Sequence, residues 1–168
     1  MSAPMPNNRE RIMQEDDFIV SKTDTKGRIT YCNEIFMDMA QMRESELLGK
    51  PHNIVRHPDM PKIVFKLLWE HVQKGEEIFA YVKNLSADGS YYWVLANVTP
   101  SYDQNGNIIG YYSVRIKPSQ RALEVIKPLY EKLRSLENSG GIAASESYLN
   151  NLLNEKGVSY DEFVISIQ

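Results

Sequence analysis

The sequence contains one cysteine, Cys32, among 168 residues. A single thiol cannot form an internal disulfide and cannot supply a multi-cysteine zinc site. We therefore interpret Cys32 as a small buried apolar side chain. Long apolar runs are also lacking, because none approaches the roughly 18 to 20 residues that a membrane-spanning helix requires. Direct membrane insertion of this chain is not expected.

The polar N-terminus lacks the apolar segment of a secretory signal, which predicts a cytoplasmic location. An excess of basic residues is also lacking: 19 Lys and Arg stand against 22 Asp and Glu, for a formal net charge of −3. The basic residues are scattered, so nucleic acid is not an expected partner. No nucleophile elbow, phosphate-binding glycine loop or dinucleotide-binding glycine motif occurs, so we do not expect an enzyme.

The hydrophobic fraction is 42% and the charged fraction 24%, as is typical of globular proteins. The length allows one domain with appendages. Residues 1–16 are predicted to be an N-terminal cap or extension and residues 17–117 the main folded domain. Residues 118–168 are predicted to be a C-terminal helical extension or linker.

Alternating apolar runs predict five strands. Two short runs, 18–20 and 28–32, flank a turn at 24–27, and three longer runs, 77–85, 91–101 and 108–116, are separated by Asp-Gly and Asn-Gly turns. Short helices are predicted after the first hairpin, and a longer one from Asp59 to before Gly75. The pattern predicts an α+β fold, in which helices cover one face of a five-stranded antiparallel sheet and enclose a pocket. An exit helix is predicted over 121–136, with a kink or break at Pro128.

The densest polar cluster lies in the proline-rich segment 51–61, PHNIVRHPDMP. Arg56 and His57 precede the predicted N-terminus of the longer helix, where free N–H groups and the helix dipole favour an anion. We interpret this corner as a phosphate or pyrophosphate site. The alternative is that Asp59 only caps the helix and Arg56 only pairs with a surface carboxylate. The spacing of the histidines matches no helical zinc pair.

Aromatic side chains form a second group, which includes Phe36, Trp69 and Trp93. Flat cofactors require apolar walls and a few amides that hydrogen-bond to the ring edges. Asn33 and Asn97 are the predicted amides. The alternative is that the aromatic residues fill an ordinary core.

These elements, with the segments DTKGRI at 24–29, NEIF at 33–36, ELLGK at 46–50 and YWV at 92–94, resemble the PAS domain. The string at 51–61 is similar to that of the bacterial Aer aerotaxis receptors, and the resemblance covers about residues 16–135. It implies non-covalent FAD binding and a relay of redox state to a chemotaxis-type signalling partner. By motif it assigns Arg56, His57 and Asp59 to the FAD-binding segment and places Asn33 and Trp69 near the cofactor. Asn53, in the same string, is also a predicted contact.

Two departures from the family matter. Its Glu-Pro-Trp segment is here Glu77-Ile78, which removes one aromatic contact. Its membrane anchor, HAMP segment and signalling bundle do not fit after Gln168, so we expect a freestanding sensor or a piece of a longer chain. Cys32 lies outside the loop in which light-sensing relatives carry their reactive cysteine.

The sequence therefore predicts a flavin redox sensor, with FAD as first choice and FMN as second. One alternative is a cofactor-free dimerisation module, in which the N-terminal segment and exit helix form the homodimer contact. Another is a haem-binding gas sensor with His57 or His71 as axial ligand. A flavin reductase has less support, because no proton donor or nicotinamide site is visible.

Overall fold

The computed structural model describes residues 3–168; Met1 and Ser2, which begin the predicted 1–16 segment, lie outside the described residues. A short 3-10 helix spans His52–Val55. The strands are β1 Ile19–Thr23, β2 Ile29–Cys32, β3 Ile78–Leu85, β4 Tyr91–Tyr102 and β5 Ile108–Ile116. The α-helices are α1 Glu34–Ala40, α2 Glu44–Leu47, α3 Lys62–Gln73, α4 Gln120–Lys156 and α5 Tyr160–Ile167.

The five strands form one antiparallel sheet in the order β2-β1-β5-β4-β3. The hairpin turns predicted from Asp-Gly and Asn-Gly pairs are present, with Gly89 and Gly106 at positive φ. The predicted α+β class and its five-stranded antiparallel sheet are confirmed.

The two faces of the sheet have different neighbours. Val82 and Ala96 face α3 across a cavity, as does Ser113 on β5. Tyr81 on β3 and Trp93 on β4 lie an odd number of positions from Val82 and Ala96 and point to the opposite face, because successive side chains of a strand alternate. We call the first face the inner face and the second the outer face.

The C-terminal extension, α4 and α5, covers strand β3 at the edge of the sheet. The Tyr130 hydroxyl donates to the Tyr81 carbonyl at 2.5 Å, and the Phe79 N–H donates to Asp161 Oδ1 at 3.0 Å. Trp93 packs on Tyr130 with ring centroids 5.9 Å apart. Two of the backbone groups that this edge strand leaves free, the Tyr81 carbonyl and the Phe79 N–H, are thereby satisfied within the chain.

Helix α4 contains one residue outside helical geometry, Gly141, with φ 72° and ψ −172°. The expected interruption at Pro128 is not where the helix breaks, since Pro128 lies in a stretch of helical dihedrals. The glycine adopts a backbone geometry that a residue with a Cβ rarely adopts. Residues after Gly141 fold back toward α3.

The N-terminal segment packs on the rest of the chain. Met13 is buried, and Arg11 Nη1 donates to the carbonyls of Met39 at 2.6 Å and Asp38 at 3.0 Å. Both carbonyls belong to the last turn of α1, where cations are favourable. The segment thus caps the C-terminus of α1.

Candidate ligand cavity between helix α3 and the sheet

A cavity lies between α3 and the inner face of the sheet. The space free of atoms between its walls is about 750 Å³ when the open mouth is included. Apolar and polar side chains both line it. They are Thr23, Gly27, His52, Asn53, Arg56, Phe65, Leu68, Trp69, Val72, Val82, Asn84, Ala96, Val98, Tyr111, Ser113 and Arg115.

One wall comes from α3, whose residues Phe65, Leu68, Trp69 and Val72 recur at i, i+3, i+4 and i+7 and so share a helix face. The Trp69 indole meets the Tyr111 ring edge-on, with centroids 5.6 Å apart. This wall and the apolar residues of the sheet, Val82, Ala96 and Val98, give the cavity its apolar lining.

Gly27 keeps room for the Trp69 indole. A Cβ added there would lie 3.1 Å from two carbons of the six-membered ring, and Gly27 has φ +82°. Both the backbone conformation and the close approach therefore favour glycine at this turn.

The deepest polar group in the cavity is Arg115. Its Nη1 donates to Ser113 Oγ at 2.8 Å and lies 3.1 Å from His52 Nε2, and its Nη2 donates to Ser21 Oγ at 3.0 Å. Phe36 lies below it, with the guanidinium carbon 4.8 Å from the ring centroid. Strand β5 thus fixes a guanidinium at the cavity wall.

Arg115 is a buried cation, 3% exposed. Burial lowers its pKa to about 10, so it remains charged at neutral pH. None of the ion pairs among residues 3–168 includes it. Burying a charge without a counter-charge is costly. The cavity therefore favours a ligand that presents an electron-rich or anionic edge.

His52 is the acceptor in this network. Because Arg115 can only donate, the Nε2 of His52 accepts, and the ring is neutral. Desolvation and the neighbouring Arg115 charge lower the pKa of His52 to about 3. The only positive charge of this group of side chains at neutral pH is therefore that of Arg115.

Two residues of the 51–61 segment reach the cavity mouth, since Asn53 and Arg56 line the cavity and are also exposed. The Arg56 guanidinium carbon lies 3.5 Å above the Phe65 ring centroid. Partial desolvation of the guanidinium against the protein lowers the pKa of Arg56 from its ordinary value. A cation stacked at the mouth suits a phosphate group that extends outward.

His57 and Asp59 do not line the cavity. The buried His57 Nδ1 accepts from the Asp59 N–H at 2.9 Å, and desolvation lowers the His57 pKa to about 4. Asp59 binds Lys83 at 3.1 Å and Arg134 at 3.2 Å. Burial acts to raise the Asp59 pKa, but these cations outweigh it and hold the pKa below its ordinary value. Both residues anchor the segment to β3 and α4.

The expected anion site at the N-terminus of the longer helix is filled by this chain. The cap of α3 is Pro61 rather than Asp59, whose carboxylate is engaged by Lys83 and Arg134. The first free amides, those of Lys62 and Ile63, donate to the Glu137 carboxylate at 2.8 and 3.0 Å. The interpretation that this helix end binds a phosphate is therefore corrected: it binds a side chain of α4.

Asn33 and Phe36 support the cavity from outside. Asn33 caps α1, accepting from the Phe36 N–H at 3.1 Å and the Val20 N–H at 3.0 Å and donating to the Phe18 carbonyl at 2.8 Å. These hydrogen bonds of the Asn33 amide join β1 to α1. Phe36 is buried beside His52, at 5.6 Å between ring centroids.

Trp93 and Asn97 lie on the outer face. Side chains alternate along β4, and Ala96 and Val98, which line the cavity, occupy the other set of positions. Trp93 packs on Tyr130, and Asn97 donates to Glu77 Oε1 at 2.7 Å. The expectation that both residues line the ligand site is corrected. Of the nine predicted site residues, the structure brings Asn53, Arg56 and Trp69 together at the cavity.

Several polar residues of the cavity were not predicted as cofactor contacts, among them His52, Asn84, Ser113 and Arg115. The signal for Arg115 was present, since a charged residue at an inward position of an apolar strand is unusual. Asn84 gives a similar signal, because it is a polar residue near the end of the apolar strand β3, where it is 4% exposed.

The alternative axial ligands, His57 and His71, both lie outside the cavity lining. His71 Nδ1 lies 2.7 Å from the Leu67 carbonyl on its own helix. In residues 3–168 there is no group of three or more His, Cys, Asp or Glu side chains that could hold a metal ion. Over the same stretch, no helix combines the length and apolar character needed to cross a bilayer.

Comparisons with known proteins agree on the fold. A family model described as a PAS fold matches residues 29–115. The aerotaxis receptor of Escherichia coli (strain K12) is 34% identical over 155 residues, which are 90% of this chain and 30% of the receptor. The biofilm dispersion protein BdlA of Pseudomonas aeruginosa is 29% identical over 87 residues, which are 51% of this chain and 21% of that protein. The chain thus spans less than a third of these relatives.

Among solved structures, one from the work "Flavin Analogue Sheds Light on Light-Oxygen-Voltage Domain Mechanism" is similar with a TM-score of 0.57. It is 25% identical and covers 68% of this chain and 86% of its own. The dark structure of the Aureochrome1 LOV photoreceptor has a TM-score of 0.56 at 22% identity, covering 70% of this chain and 96% of its own.

Proposed function

This chain belongs to the PAS family, and we propose that its cavity binds a flavin, FAD in preference to FMN, and reports the redox state of that flavin to a signalling partner. We further propose that it acts as a sensor without turnover. The similarity to the aerotaxis receptor over 90% of the chain supports this assignment, as does the similarity to a light-oxygen-voltage domain studied with a flavin analogue.

The residues of the cavity fit a flavin. The α3 wall and the apolar residues of the sheet suit the faces of a tricyclic ring. Asn84 and Ser113 offer hydrogen bonds to polar ring edges, and Asn53 does so at the mouth. Because Gly27 has no Cβ, the Trp69 indole can pack against it and form part of the cavity wall. Arg56, at the mouth, suits the phosphates that both FAD and FMN carry.

The observation that carries the proposal is the buried Arg115 guanidinium, which has no carboxylate partner among the described residues. A bound flavin supplies reversible one- and two-electron redox chemistry. Arg115 would stabilise negative charge that arises in the cavity on reduction. The hydrogen bonds that Arg115 makes to Ser21 on β1 and to His52 on the 3-10 helix would then change in strength. This network is a route from the cavity to the sheet.

The absorption spectrum of the purified protein, before and after dithionite, tests the proposal. We expect a yellow protein whose flavin bands bleach on reduction, and whose released cofactor is FAD by chromatography. Released FMN would overturn the choice of FAD. A Soret band would support the haem alternative. A colourless dimer that cannot be reconstituted with either flavin would support the cofactor-free interaction module and contradict flavin binding.

A further inference from the structure

Helix α3 lies between the cavity and the C-terminal extension. Its inner face carries Phe65, Leu68 and Trp69, which line the cavity. Its N-terminus and Lys66 contact α4 instead. A displacement of α3 in response to a ligand in the cavity would therefore alter its contacts with the C-terminal extension.

The contact at the N-terminus of α3 is a carboxylate on two free amides. Glu137 receives the N–H groups of Lys62 and Ile63, which lack partners within the helix and lie at the positive end of its dipole. Ser145, which is buried, donates its hydroxyl to the same carboxylate at 2.7 Å. Glu137 thus joins α3 to both halves of α4.

The glycine break brings the second half of α4 back onto α3. Gly141 has φ 72° and ψ −172°, in a region open essentially to glycine alone. After this turn Glu146 binds Lys66 at 2.6 Å, and Lys66 also binds Glu70 at 2.8 Å. Two separate polar contacts therefore hold the folded-back segment against the helix that walls the cavity.

We propose that Glu137 is a positioning residue that couples the cavity to the C-terminal extension, so that ligand binding in the cavity and docking of residues 142–167 strengthen each other. The proposal rests on the proposed function, because it takes a flavin as the ligand. Linkage is reciprocal: if the ligand stabilises docking, then loss of docking weakens ligand binding by the same factor. Detachment of the segment would also free the edge of β3, where Phe79 donates to Asp161.

The test compares the wild-type chain with Glu137→Gln, which removes the charge but keeps the shape. Glu131→Gln is the matched control, since Glu131 is on the same helix and is exposed. Two quantities are measured: amide hydrogen exchange of residues 142–167 with and without FAD, and the FAD dissociation constant. In the wild type we expect exchange to be about fivefold to tenfold slower with FAD, as for a typical coupling.

In Glu137→Gln we expect FAD binding to weaken by about the same factor. We also expect residues 142–167 to exchange their amide hydrogens equally fast with and without FAD. Glu131→Gln should match the wild type in both quantities. Should Glu137→Gln fail to fold, Gly141→Ala strains the turn while leaving the carboxylate in place, and the same loss of the difference is expected.

The outcomes separate the two proposals. If the wild type binds FAD but its extension exchanges equally fast with and without it, the coupling is refuted and flavin binding stands. The coupling is also refuted if Glu137→Gln retains both the affinity and the exchange difference. A wild-type chain that binds no flavin removes both proposals.

Discussion

The Arg115 guanidinium and the His52 imidazole share a hydrogen bond of 3.1 Å at the wall of the cavity, where Arg115 is charged and His52 is neutral. A cation is thus held at a fixed place by neutral acceptors, with Ser21 and Ser113 completing the set. This arrangement leaves the positive charge available to a ligand.

The first prediction concerns this charge. Arg115→Met should lower the reduction potential of the bound flavin by about 30 mV or more, because a tenfold weaker preference for the reduced form corresponds to about 30 mV in a two-electron couple. Arg115→Lys keeps the charge and should retain most of the potential. Spectroelectrochemical titration measures both. Equal potentials in wild type and Arg115→Met would show that Arg115 does not interact with the ring.

The second prediction concerns pH. The pKa values of His52 and His57 are lowered in the folded protein, to about 3 and about 4. Between these values and the ordinary 6.5 the unfolded chain binds more protons, so stability falls as pH falls through this window. Each histidine contributes a slope of at most about 1.4 kcal/mol per pH unit.

His52→Gln keeps an acceptor for Arg115 but does not titrate, and it should flatten the dependence of unfolding free energy on pH between 4 and about 6.5. Urea denaturation at several pH values measures this slope. An unchanged slope in His52→Gln would show that the imidazole titrates normally in the folded state.

The third prediction separates the two tryptophans. Trp69→Ala removes a wall of the cavity and should abolish or strongly weaken flavin binding. Trp93→Ala acts on the outer face and should destabilise the fold by about 3 kcal/mol, because it leaves a space beneath Tyr130. Flavin titration and chemical denaturation of both variants test the contrast. A flavin spectrum that is more perturbed by Trp93→Ala than by Trp69→Ala would reverse the assignment of faces.

The fourth prediction uses a matched glycine pair. Gly27 and Gly106 have nearly equal φ angles, +82° and +81°, but only Gly27 approaches another side chain, since nothing lies within 4 Å of a Cβ at Gly106. Alanine at either position should cost about 1 kcal/mol through backbone strain. Gly27→Ala should in addition shift Trp69, which its fluorescence and the flavin spectrum would report. Identical spectra in the two variants would contradict the packing of Trp69 on Gly27.

The sequence predicted the strands well because turn chemistry marks their ends. The Asp-Gly and Asn-Gly pairs and the alternating runs located β3, β4 and β5 to within a few residues. Whether a side chain of a strand points inward depends on its position in the alternation along that strand, and a shift of one residue moves it to the opposite face. Trp93 and Asn97 were therefore placed with the cavity, although both belong to the outer face.

The cavity was predicted in part. Arg56, Asn53 and Trp69 lie close to the motif or on the amphipathic face of α3, so local sequence locates them. Glu137 could not be assigned to the N-terminus of α3 from the sequence, because the contact joins elements far apart in the chain and requires the turn at Gly141. The domain bounds 1–16, 17–117 and 118–168 remain predictions.

The most direct test is an equilibrium titration of the unloaded wild-type chain with FAD, followed by flavin fluorescence, with FMN as competitor. The account predicts saturable one-to-one binding that quenches the flavin, is weakened by Trp69→Ala and is displaced only poorly by FMN. Fluorescence that stays that of free FAD at all protein concentrations would contradict the account.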